Sequence, residues 1–178
     1  MQLLRNLFIY IEESFEAKML ASAKADIQHY FNFLIEEGYE FSKLEYIKGG
    51  YGGGWQVIFK SSSCVIHIVE DQSRVSVLFA PLDEGNKTLI GLEAMIFYLS
   101  QEKIFIGEFD KSAYKSRGGQ LEKLASLLKE YINQISPYFG SDFNKYKDAL
   151  MMSKQKYSDI WFNKYFPKKK EPKVWDWE

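Results

Sequence analysis

The sequence predicts an α+β domain: an antiparallel sheet of about four or five strands, running as a meander, flanked by N-terminal and C-terminal helices. Three observations predict it. Apolar residues recur at helical spacing before residue 37 and after residue 121, while residues 41–80 are rich in β-branched and aromatic residues. The connectors "SSS" and "EDQS" are too short for the crossover that a parallel pair needs. The chain has 178 residues, 46% of them hydrophobic, enough for one sizeable core.

The elements follow in order. Leu4, Leu7, Phe8, Ile11 and Phe15 are spaced as in a helix over 3–15, although "FIYI" also fits a strand. Leu20, Ala23, Ile27, Tyr30 and Leu34 define a helix over 17–37, with Phe31 and Ile35 widening its stripe. Gly38 suits the left-handed residue that ends such a helix. Strands are expected at 41–47, 55–60, 64–70 and 74–80. Thr88 or Asn86 is expected to cap a helix over 89–101, and "KIFIGEF" reads as one more short strand. "SAYKSRGGQ" reads as a loop. A helix then runs from Leu121 to Ile135, stopped by Pro137, and a last helix starts at Ser141 or Asp142. These elements make a single domain over 1–166. The lysine-rich residues 167–178 lack periodicity and are expected to form an extended or mobile tail.

Composition excludes several chemistries. A single cysteine, Cys64, rules out an internal disulfide and any zinc site built on several cysteines. The N-terminal run lacks the basic leader and cleavage site of a signal peptide, and no stretch approaches a membrane span, so a cytoplasmic protein in no contact with membrane is expected. Residues 1–115 hold 11 Lys/Arg against 16 Asp/Glu, and residues 116–178 hold 12 against 8. An acidic N-terminal and a basic C-terminal portion suit different partners.

"KGGYGGGWQV" places five of the twelve glycines within six positions. A phosphate loop needs its glycines between a strand and a helix, closing on Gly-Lys-Ser/Thr. Here the cluster ends in Trp55 and opens a strand, so it reads as a hairpin connection. Tyr46, Tyr51 and Trp55 interleave with it, as aromatic anchors do in binding loops. Cys64 and His67 are three apart in a strand, point to opposite faces, and form no dyad. His29 with Asp26 and Glu36 reads as a solvated helix face rather than a metal site. Glu70 and Asp71 close a strand at a turn. No cofactor is expected, and no pairing of nucleophile with base, so the protein is expected not to be an enzyme.

The order of a helix ending at "EEGYEF", a Gly-rich loop, the meander "WQVIFKSSSCVIHIVEDQSRVSVLFAPL" and further helices resembles small α+β proteins of bacteria and phages, among them immunity proteins of toxin systems. The resemblance implies a role by binding and blocking a cognate protein, and carries over no functional residue. The expected function is therefore a non-catalytic protein-binding module, with a toxin as partner. Its contact residues are expected among Tyr46, Tyr51, Trp55, Glu12, Glu13 and Glu16. The alternative is a nucleic-acid-associated protein using Lys145, Lys147, Lys154, Lys156, Lys164, Lys168, Lys169 and Lys170, a patch with no arginine for bidentate reading.

Overall fold

The computed structural model describes residues 2–48, 53–83, 88–106 and 116–167, with side chains from residue 15 onward. Helix α1 (Gln2–Tyr30) leads to a short α2 (Phe33–Glu36). Four strands follow: β1 (Glu40–Ile47), β2 (Gly54–Lys60), β3 (Val65–Asp71) and β4 (Arg74–Ala80). A two-residue β5 (Ile90–Gly91) runs into α3 (Leu92–Leu99). Then come α4 (Arg117–Ile135), a 3-10 turn at Ser136–Phe139, and α5 (Phe143–Tyr165). The sheet is an antiparallel meander in the order β1-β2-β3-β4-β5. The α+β class and the antiparallel sheet are as the sequence predicts.

Side-chain alternation sets the layers. Trp55, Val57 and Phe59 of β2 pair with Glu70, Ile68 and Ile66 of β3, which face Val75, Val77 and Phe79 of β4. The apolar members of this face are buried, and α1 and α4 pack over it. The opposite face carries Gln56, Ile58, His67, Val69 and Ser76; α5 packs on α3 and β5 at the far edge. One cluster of buried side chains joins the helices and the sheet. Among the described residues, no helix is long and apolar enough to cross a membrane.

Several expectations need correction. The two N-terminal helices are one, α1, continuous through residue 16. It ends at Tyr30, where the chain tightens to i→i+3 bonds from Leu34 to Phe31 and from Ile35 to Asn32. That tightening lets Phe31 and Leu34, three apart, both enter the core. Gly38 does take the left-handed conformation, with φ +84°. The fifth strand is Ile90–Gly91, paired with Phe79 and Leu78, so α3 starts later than expected, with Gly91 and not Thr88 at its N-cap. Residues 103–106 of "KIFIGEF" form no strand, and 107–109 lie outside the described residues. The "RGGQ" expected in a loop is the first turn of α4, capped by the Ser116 hydroxyl, which accepts from the Gly119 amide. A Cβ on Gly118 would sit 3.3 Å from the Tyr30 hydroxyl, so a small residue lets α4 approach α1 closely. Gln120 is buried; its side chain accepts from the Val75 amide and donates to the Ser73 carbonyl, holding the tight β3–β4 turn.

Candidate functional site

An apolar depression lies between α1 and the strands β1 and β2. Lys24, Ile27 and Gln28 share one side of α1, and Phe31, just past its end, continues the same three- and four-residue steps. Phe41 and Leu44 of β1, with Val57 and Phe59 of β2, form the facing wall, and Ile35 of α2 closes one end. The groove encloses about 550 Å³. Its deep residues belong to the core, whereas Phe41 is 55% exposed and Ile35 is 49% exposed at its mouth. Phe41 holds its place edge-on against Phe59. Lys24, Gln28 and Asn32 supply the polar rim. Beside it, β1 is the outer strand of the sheet, so alternate backbone groups point away from β2.

The glycine-rich connection joins β1 to β2, as expected, but its tip, with Tyr51, lies outside the described residues. Two of its glycines have visible reasons. Gly53 has φ +69°, and the Tyr46 hydroxyl lies over its Cα. Gly54 faces the Glu70 carbonyl oxygen, which would stand 1.9 Å from an added Cβ. Tyr46 is half-buried. Trp55 is wholly buried, at odds with its placement as a contact residue: its ring fills the core.

Around Trp55 sits a group that the sequence reading did not assemble. The indole Nε1 donates to Glu70 Oε2 at 2.5 Å. Arg117, from the first turn of α4, pairs through Nε with Glu70 at 3.0 Å and through Nη2 with Asp26 at 2.7 Å. It also donates to the Ser22 hydroxyl at 3.3 Å, and its guanidinium lies 5.7 Å from the Trp55 ring centre. One cation thus ties α1, β3 and α4 together. Asp26 and Glu70 are both engaged by this one guanidinium.

The remaining candidates are dispersed. Glu12 and Glu13 lie on the part of α1 whose side chains are not described, and Glu16 is half-buried. Of the lysines, Lys154 donates to the Leu89 carbonyl at 2.8 Å, and Lys156 pairs with Glu102. Lys145, Lys147 and Lys164 stand over aromatic rings of Tyr146, Phe143 and Phe105 respectively. Lys168, Lys169 and Lys170 lie outside the described residues. Cys64 and His67 do sit on opposite sides of the sheet. Cys64 is buried beside the Tyr39 hydroxyl, which also bonds Ser136, and burial pushes both the thiol and the phenol up. His67 Nδ1 lies 2.9 Å from Gln56 Nε2. Burial holds its imidazole below the usual range, against the pull of Glu45 and with the help of Lys60. His29 is exposed, and Glu36 is on α2 rather than on the helix of His29, so the grouping with Asp26 does not form. Burial raises the Glu93 carboxyl in the first turn of α3. Among the described residues, no group of three or more His, Cys, Asp or Glu side chains is placed to hold a metal ion.

Fold and site together define an α+β protein with a helix-walled apolar groove beside a sheet edge, β1, that is unpaired on its outer side among the described residues. No protein-family model matches the chain, and neither a curated protein nor a solved structure does.

Proposed function

We propose that this is a non-catalytic protein-binding module, and that the groove between α1 and β1–β2 receives bulky apolar side chains of its partner. The exposure of Phe41 and Ile35 at the mouth of an apolar depression carries the reading. Two large apolar side chains left in water beside a preformed groove lose about 25 cal/mol for each Å² that stays uncovered, and a partner recovers this. The mode fits recognition by apolar anchors in a groove. The non-catalytic part is supported by Glu70 and Asp26, two carboxylates that Arg117 holds in ion pairs. The narrower reading, an immunity-type inhibitor with a toxin as partner, rests on the resemblance of the meander and its flanking helices.

Peptides selected from a random library on the immobilised protein test the reading. The account expects bulky apolar residues to be enriched, and the selected peptides to bind Phe41→Asp at least about tenfold more weakly. Failure to enrich any peptide, or equal binding to Phe41→Asp, contradicts it.

A further inference from the structure

Phe41, exposed at the mouth of the groove, lies on β1, which is an edge strand of the sheet. The opposite edge of the sheet, β5, is two residues long and lies against α3 and α5. β1 is eight residues long, and among the described residues no strand pairs on its outer side. A bulge between Phe41 and Lys43 disturbs its first half, which limits pairing there. The regular part starts at Lys43. Lys43 and Glu45 flank Leu44 and project from the same face, opposite Ile58 and Gln56. In the single chain they pair with each other at 2.5 Å, with 56% and 37% of their side chains exposed.

We propose that two copies associate antiparallel through β1, with Leu44 on the two-fold axis, so that Lys43 of each copy faces Glu45 of the other. The charge pattern carries the choice of occupant. An antiparallel two-fold at Leu44 puts position 43 opposite position 45, twice, and both contacts join opposite charges. A different register centred on either Lys43 or Glu45 would set a like charge against itself. The axis is perpendicular to the sheet, so the helical layers of both copies lie on one side. The two grooves then lie on the same side of the joined sheet, across the axis from each other. The ladder is short, so association depends on concentration. The dimer does not require the groove to bind anything, and its test fails separately from the peptide selection.

Sedimentation equilibrium over a wide concentration range reads the outcome. The wild-type chain is expected to reach twice the monomer mass. Lys43→Glu places Glu against Glu twice, and Glu45→Lys places Lys against Lys twice; each is expected to weaken association about tenfold to a hundredfold. Both side chains are exposed, so unchanged circular dichroism verifies that the variants fold. Mixing the two single variants restores both complementary contacts, and the account predicts a one-to-one heterodimer. The Lys43→Glu/Glu45→Lys double variant is expected to dimerise like the wild type. A wild-type chain that stays monomeric throughout overturns the proposal. So do single variants that dimerise as tightly as the wild type, or a mixture that fails to associate.

Discussion

Replacing Gly54 by alanine tests the account of the glycine-rich connection. The new Cβ would lie 1.9 Å from the Glu70 carbonyl oxygen, 3.0 Å from its carbonyl carbon and 3.3 Å from the Asp71 Cα. These are backbone atoms of the paired strand, so no rotamer change relieves the clash. Ordinary contact begins near 3.4 Å, so β2 and β3 must separate by more than an ångström at the Gly54–Asp71 pair. Two ladder hydrogen bonds next to the site would weaken, at about 1 kcal/mol each. Trp55 is the next residue, wholly buried and bonded to Glu70, so its packing shifts as well. The expected cost is about 2–4 kcal/mol. Gly38→Ala is the control: its φ of +84° strains alanine, but nothing lies within 4 Å of the new Cβ. Its cost should be about 1–2 kcal/mol. Urea denaturation of both variants gives the comparison. A Gly54→Ala protein as stable as Gly38→Ala would refute the reasoning.

Trp55→Ala should cost about 3–5 kcal/mol in the same assay, because the ring is wholly buried, whereas a surface anchor would cost almost nothing. His67 supplies a pH dependence. Its imidazole is held below the unfolded value of about 6.5, so between the two values the unfolded chain binds more protons. Its contribution is therefore complete above about pH 6.5 and is lost as the pH falls through the window beneath. His67→Gln should remove that part of the stability profile, as measured by thermal melts from pH 5 to pH 8; an unchanged profile contradicts the assignment.

Much of the fold is legible in the chain because its signals are local. Strand bounds follow from period-two alternation, antiparallel pairing from short connectors, and the left-handed Gly38 from its place after an apolar stripe. From its place beside the glycines, Trp55 is expected among the contact residues. The alternation Trp55, Val57, Phe59 already favours core, and the structure puts all three on the buried face. The first turn of α4 was hidden because Gly118 and Gly119 have poor helix propensity, and only the approach of Tyr30 explains why small residues stand there. Arg117 was missed with them; its partners Asp26 and Glu70 are far away in sequence, and no spacing rule joins the three. The groove is equally non-local. Ile35 and Phe41 flank the Gly38 turn, which is a visible signal, but which strand is outermost and how far α1 leaves it uncovered follow only from packing.

Methyl-detected NMR of the protein titrated with a library-selected peptide tests the central claim most directly, since it reports where the partner sits. The account predicts shifts at the methyl groups of Ile27, Ile35, Leu44 and Val57, which line the groove. Those of Ile96, Leu124 and Ile132, buried in α3 and α4, should stay in place. Shifts absent from the groove and concentrated on another surface, such as the lysine-bearing side of α5, would contradict it.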